Sequence, residues 1–104
     1  MHLVPKHFMK TATAGTEVRL TTADIKTPAV LIQAERSNTG YVYLGQGPTM
    51  SSSSYGIDLA AADSVSITAK DFGMAGANIS LKEIWMDVSV STDGVSVFYL
   101  ERAE

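Results

Sequence analysis

Side chains that alternate with a period of two suit an extended strand with one buried and one wet face, and this alternation recurs along the chain. Ser64-Val-Ser-Ile-Thr-Ala69 carries it without interruption: Val65, Ile67 and Ala69 share one face and Ser64, Ser66 and Thr68 the other. Gly15-Thr-Glu-Val-Arg-Leu20 repeats the pattern, sending Val18 and Leu20 inward and Glu17 and Arg19 outward. Ala29-Val-Leu-Ile-Gln-Ala34 is nearly apolar on both faces, which predicts a central strand, and Pro28, unable to donate to a ladder, marks its beginning.

Other short segments rich in Val, Ile, Thr and Tyr lie between clusters of Gly, Ser, Asn and Asp, the order expected of many strands joined by turns. Phe8 to Ala12, Tyr41 to Leu44 and Gly56 to Leu59 are such segments. Ser51 to Ser54 is low in complexity and predicts a mobile loop, while Lys70 to Ser80 is irregular and predicts a loop or one short helical turn. The strongest local signal is a C-terminal hairpin. Ile84 to Val90 and Val95 to Leu100 flank Ser91-Thr-Asp-Gly94, where Asp93-Gly94 is expected to supply the positive φ of a tight turn. In its first strand Ile84, Met86, Val88 and Val90 share a face opposite Trp85 and Asp87; in its second, Val95, Val97 and Tyr99 oppose Phe98 and Leu100. The expected fold is all-β: a single-domain antiparallel β-sandwich or jelly-roll-like barrel of seven to nine short strands over residues 8–104. Residues 1–7 are expected to form an arm with no strand partner of its own.

Composition narrows the function. With 104 residues, one core is expected, and only about two-thirds of the unfolded surface is buried in a chain of this size, so help from neighbouring subunits is useful. Charged residues make up 18% of the chain, against roughly 25% in an average soluble domain. Such a surface suits a protein partly covered by partners. The net charge of −3 and the scatter of Lys and Arg from Lys6 to Arg102 offer no basic stripe for phosphates, which argues against nucleic-acid binding. No cysteine is present for disulfides or thiolate metal sites. The first ten residues lack the apolar run and small-residue cleavage site of a secretory signal, and no segment approaches the roughly 20 apolar residues of a membrane span, so synthesis in the cytoplasm without membrane insertion is expected.

Catalytic chemistry finds few candidates. His2 and His7 are the only histidines and have no carboxylate cluster beside them, so neither a metal nor a cofactor is expected. No serine stands in a Gly-x-Ser-x-Gly turn, and Gly73 and Gly76 lack the setting of a phosphate-binding loop. Asn78-Ile79-Ser80 matches a glycosylation sequon, a pattern short enough to arise by chance. Asp58, Asp63, Asp71, Asp87 and Asp93 could supply paired carboxylates to a hydrolase only if they converged, and Asp63 and Asp93 already have a turn-forming role. Asp87 differs, because it interrupts an apolar strand beside Trp85; together with Tyr41, Tyr43, Tyr55 and Tyr99, Trp85 reads as core or interface, or else as a stacking platform for sugars. No catalytic residue is assigned, and no enzyme activity is expected.

The succession Gly15-Thr-x-Val-x-Leu20, Val30-x-Ile-Gln-Ala34, Asn38-Thr-Gly40, Val42-Tyr-x-Gly45, Gly56-Ile-x-Leu-Ala60, Asp63-Ser-Val65, Ile84-Trp-Met-Asp87 and Asp93-Gly-Val-Ser-Val-x-Tyr-Leu100 resembles small β-sandwich virion proteins of tailed bacteriophages. The resemblance runs from about Gly15 to Leu100. Two departures stand out: Ala62 occupies the place of a usual turn glycine, and the segment from Lys70 to Leu81 is longer than in typical relatives. What the resemblance implies is a capsid decoration or cement protein located in the virion, bound to the major capsid protein on the outer shell, as a homo-oligomer with a trimer favoured. The alternative is a tail or tail-fibre adaptor or a carbohydrate-binding, receptor-binding module. The candidate interface comprises Met1, His2, Leu3, Val4 and Pro5 of the arm, Tyr41, Tyr43, Trp85 and Asp87 of the strands, and Phe72 and Met74 of the irregular segment.

Overall fold

A computed structural model describes residues 2–48, 50–73 and 76–103, without the side chains of Phe72 and Ala103. The strands are β1 (His2–Thr11), β2 (Val18–Arg19), β3 (Lys26–Thr27), β4 (Ala29–Ala34), β5 (Val42–Gln46), β6 (Ile57–Leu59), β7 (Ser64–Thr68), β8 (Ile79–Ser80), β9 (Ile84–Val88) and β10 (Gly94–Ala103). They form two four-stranded antiparallel sheets, ordered β1-β10-β4-β7 and β2-β9-β5-β6, and a two-stranded ladder of β3 with β8. The expected sandwich is what forms. Among the described residues ten strands appear, against the seven to nine expected, because three of them are ladders only two residues long.

The core lies where the inward rows of the two sheets meet. Val30, Ile32 and Ala34 of β4 and Val95, Val97 and Tyr99 of β10 face Val42 and Leu44 of β5 and Met86 and Val88 of β9, all buried. Leu20 and Leu81 close it, fully buried, with the Leu20 amide donating to the Ile84 carbonyl at 2.8 Å. The alternation read from β2 and β7 survives in the structure: Val18, Val65 and Ile67 pack against this core, and Leu20 and Ala69 are buried. β4 is central, between β10 and β7.

The C-terminal hairpin does not form. β9 pairs with β2 and β5 in the second sheet, whereas β10 pairs with β1 and β4 in the first, so residues 89–93 arch from one layer to the other. A hairpin would set the rows of Met86 and Val88 and of Val95 and Val97 side by side in one sheet. The arch instead lets them face each other across the core. The left-handed residue of this connection is Thr92, at φ 75°, and not Gly94. Glycine is required at 94 for another reason: a Cβ there would collide with the Lys10 carbonyl oxygen of β1. Asp93 closes a four-residue turn that begins at Val90, its amide donating to the Val90 carbonyl at 3.2 Å, while its side chain acts elsewhere. Its carboxylate accepts the amides of Thr39, at 3.2 Å, and Gly40, at 2.9 Å, while the Asn38 side chain donates to the Gly94 carbonyl at 2.8 Å and accepts the Gly94 amide at 3.0 Å. Asp93 and Asn38 are both buried, so this network stitches the turn before β5 to the start of β10.

Nor is the N-terminal segment an unpartnered arm. His2 to His7 is the first part of β1, which pairs with β10 over its full length, from His2 opposite Ala103 to Thr11 opposite Gly94. The reason is the length of β10: ten residues offer a ladder, and β4 occupies only Val95 to Tyr99 on its other side. Thr27 anchors the end of that shared stretch, its buried hydroxyl donating to the Leu100 carbonyl at 2.7 Å.

The expected mobile loop at Ser51 to Ser54 is a tight turn in which the Ser51 and Ser54 amides each donate to the other residue's carbonyl, at 2.9 and 3.1 Å. It is held down by Met50, which is buried. Among its described residues the irregular segment contains one 3-10 turn, Lys70–Phe72, and another, Leu81–Glu83, leads into β9. Among the described residues no helix is long and apolar enough to cross a membrane.

Candidate functional site

Two surfaces gather the side chains that sequence reasoning singled out, and they lie on opposite sides of the sandwich. The first is the outer face of β1-β10-β4-β7. Because Val95, Val97 and Tyr99 point inward, alternation sends Phe98 and Leu100 outward, in register with His7 and Pro5 of β1; Leu31 of β4 lies across from Phe98. Leu3, Met9, Leu31 and Phe98 are between 40% and 64% exposed, and Pro5 is also exposed. Beside them a shallow apolar depression of about 130 Å³ is lined by Ala29, Leu31, Ser66, Phe98 and Leu100. Large apolar side chains scattered singly mean little, but Leu31 and Phe98 are cross-strand neighbours, Met9 lies diagonal to Phe98, and Leu3 extends the same face toward the end of β1.

The second surface is the outer face of β2-β9-β5-β6. Met86 and Val88 fill the core, so Trp85 and Asp87 project outward, with Tyr43 paired directly to Asp87. The ring of Tyr43 lies 4.8 Å from that of Tyr55, and the Arg19 guanidinium sits 4.8 Å from the centre of the Trp85 ring. Gly47 packs so closely on the same indole that a Cβ would overlap it. These contacts occupy the rings, as packing does.

Asp87 is only 3% exposed, although it stands on an outer face. The loop before β2 covers it: Asp87 Oδ1 accepts the amides of Gly15 at 3.1 Å and Val88 at 2.8 Å. Glu17 continues the register of Val18 with Met86 and therefore stands across from Asp87. Its Oε2 atom is buried and has no hydrogen-bond partner. Glu17 and Asp87 line a depression of about 410 Å³ with Gly15, Thr16, Met50, Ser51 and Ser52. No histidine joins them, and among the described residues no group of three or more His, Cys, Asp or Glu is placed to hold a metal ion.

The candidate interface of the sequence reading is thus divided. Leu3 and Pro5 point to the outer face of the first sheet, whereas His2 and Val4, one residue out of phase, lie on its core-facing side. Tyr43, Trp85 and Asp87 come together on the second sheet, and Tyr41, half exposed, precedes β5 and donates its amide to the Ser89 hydroxyl at 2.8 Å. Met1 and Met74 fall outside the described residues, as does the side chain of Phe72. Met9, Leu31 and Phe98 are exposed but lie outside that candidate interface. The signal for Phe98 was present in the two-sided apolar pattern of its strand; Leu31 was masked because a central strand reads as buried on both faces.

One charged cluster is resolved elsewhere. Lys26 Nζ lies 2.7 Å from Asp24 Oδ1 and Lys82 Nζ 3.7 Å from it, and the hydrogen bond and charge of Lys26, followed by the charge of Lys82, hold the exposed Asp24 carboxyl below its ordinary value of 3.8. Comparison of the chain with protein-family models, with curated proteins and with solved structures finds no match.

Proposed function

We propose that this protein is a non-enzymatic structural module of a bacteriophage particle that docks through the outer face of its first sheet. In the favoured form it is a decoration or cement protein, made in the host cytoplasm and bound, as a trimer or other small homo-oligomer, to the major capsid protein on the outside of the shell. The observation that carries the docking reading is the group of Met9, Leu31 and Phe98 on one exposed sheet face, with Leu3 farther along the same face. Burying the exposed half of such side chains contributes about 1 kcal/mol each, enough for three or four of them to dominate an interface. The low content of charge supports the same reading. The phage assignment rests on the sequence resemblance.

The test uses purified capsids and a variant in which Phe98 and Leu31 are both serine. Both positions are exposed, so the domain should fold, and binding should weaken by more than about ten-fold. Wild-type protein that fails to bind capsids would refute the decoration reading, and a variant that binds as well as wild type would refute the face. Copy number in purified virions separates shell from tail, since decoration requires numbers comparable with the major capsid protein.

A second reading, a carbohydrate-binding module on a tail assembly, draws on the depression beside Glu17 and Asp87. The engaged rings of Tyr43 and Trp85 count against a stacking platform there. Quenching of Trp85 fluorescence by a panel of glycans would favour it; a flat response would remove it.

A further inference from the structure

β1 is the last strand of its sheet, with β10 on one side and, among the described residues, no strand on the other. Its backbone orientation follows from its end. The Ala12 amide donates to the Asp93 carbonyl at 3.2 Å and the Ala12 carbonyl accepts the Thr92 amide at 2.9 Å, so the backbone groups of Ala12 point toward β10. In an antiparallel pair successive residues point to alternate sides. Lys10, Phe8, Lys6 and Val4 therefore also bond to β10, while Thr11, Met9, His7, Pro5 and Leu3 turn their backbone groups to the open edge. Pro5 fits this phase, because a proline can stand only where no ladder donor is needed. It also ends the free ladder on that side, leaving His7, Met9 and Thr11 as consecutive outward pairs of donor and acceptor.

Charge says what kind of strand belongs there. β1 carries Lys6 and Lys10 and no Asp or Glu; taking this +2 from the chain's −3 leaves −5 on the remainder. Lys6 and Lys10 flank Phe8 on the core-facing side, and Phe8 packs against the core, edge-on to Tyr99 with ring centres 6.1 Å apart. A second copy of β1 in the gap would bring four lysines onto one face of a joint ribbon with no carboxylate on either strand. Inward-pointing lysines and a proline are the devices by which edge strands resist pairing with themselves.

We propose that the edge of β1 from Lys6 to Thr11 accepts an extended segment of a different protein by antiparallel strand addition, and that the segment carries acidic, apolar and acidic side chains at alternate positions. The carboxylates stand opposite Lys10 and Lys6 and the apolar residue opposite Phe8, in the closely spaced pairs where cross-strand contacts are strongest. Backbone bonds to His7, Met9 and Thr11 supply register, and the lysines select the partner. This goes beyond the docking face of Phe98 and Leu31, and it stands whether or not the chain belongs to a particle.

The experiment titrates the isotope-labelled full chain with a blocked peptide, Thr-Glu-Val-Val-Val-Glu-Thr, and with its counterpart in which both glutamates are lysine. The glutamate peptide should shift the His7, Met9 and Thr11 amides and slow their hydrogen exchange, leaving Phe8 and Lys10 protected as before. Reversing both lysines, Lys6→Glu with Lys10→Glu, should weaken its binding by about ten-fold and make the lysine peptide the better ligand. Met9→Pro removes an outward donor without touching the ladder to β10, so it should abolish binding while the spectrum keeps its dispersion. Equal affinity for the two peptides, protection confined to another edge such as β7, unchanged binding by the Met9→Pro variant, or no binding at millimolar peptide would each overturn the proposal. So would protection of the same three amides on raising protein concentration alone, which would make a second copy the occupant.

Discussion

Replacing Asp93 by alanine tests whether the arch between the sheets is held by its buried carboxylate. The Asp93 side chain accepts the Thr39 and Gly40 amides at 3.2 and 2.9 Å in a site where the residue is only 6% exposed. Two bonds to an ionised acceptor disappear, and two partly buried amides lose their partner. A bond to a charged group contributes about 1.5–3 kcal/mol and an unsatisfied buried donor costs about 1–3 kcal/mol, descriptions of the same loss that must not be summed; with partial replacement by water the net is about 2–4 kcal/mol. Against a total stability of about 5–15 kcal/mol for a domain, that is a large fraction, and it corresponds to a fall in Tm of roughly 8–16 °C at about 4 °C per kcal/mol. Urea unfolding followed by tryptophan fluorescence measures it, with an unchanged slope showing that the folded and unfolded surfaces are comparable. Asp93→Asn, which keeps one acceptor oxygen, should lose less. Because Asn38 bonds Gly94 in the same network, Asn38→Ala combined with Asp93→Ala should be less destabilising than the two losses added. A loss below about 0.5 kcal/mol for Asp93→Ala, at the same slope, would refute the role given to the carboxylate.

The other expectations concern strain and charge. Thr92 holds φ 75° with a β-branched side chain and Ala62 holds φ 69°, so Thr92→Gly and Ala62→Gly should each raise stability, by about 1 and 0.5 kcal/mol, the relief of strain exceeding the added flexibility of the unfolded chain; a lower Tm for either would contradict this. Glu17→Gln should stabilise by about 0.5 kcal/mol in metal-free buffer, because it removes a like charge across from Asp87 and can turn a donor to a group the glutamate lacked; a loss of stability in the same denaturation assay would show that the carboxylate is needed. Asp24, held below 3.8 by Lys26 and Lys82, should contribute stability that is fully present above that value and disappears as pH falls through its lowered folded-state midpoint. A proton-detected titration should place the midpoint below 3.8 and move it upward in Lys26→Met; a midpoint at or above 3.8 in the parent would refute the assignment.

Alternation by itself determined the all-β character and, where only one side of a strand is apolar, the inward row. Val65 and Ile67, and Met86 and Val88, had their faces decided by a period of two, which is local and needs no knowledge of partners, whereas β4 and β10 are apolar on both sides and only their neighbours decided that Val30, Ile32, Val95 and Val97 face inward. The outward direction of Trp85 and Asp87, opposite Met86 and Val88, follows from the same rule. What alternation cannot specify is which strand lies beside which. Two apolar rows joined by a short connection with Asp93-Gly94 are equally satisfied as neighbours in one sheet or as opposite walls of a core, and only the competing claims of β1 and β4 on β10, and of β2 and β5 on β9, decided for the walls. The same nonlocal pairing turned an expected arm into an edge strand, because the side of β10 away from β4 offers His2 to Pro5 backbone partners at Leu100 to Ala103, nearly a hundred residues away. The burial of Asp87 and the juxtaposition of Glu17 with it arise likewise from loops folding over a sheet. Side-chain periodicity is written along the chain, whereas backbone hydrogen-bond partners and the environments of single carboxylates are properties of the assembled layers.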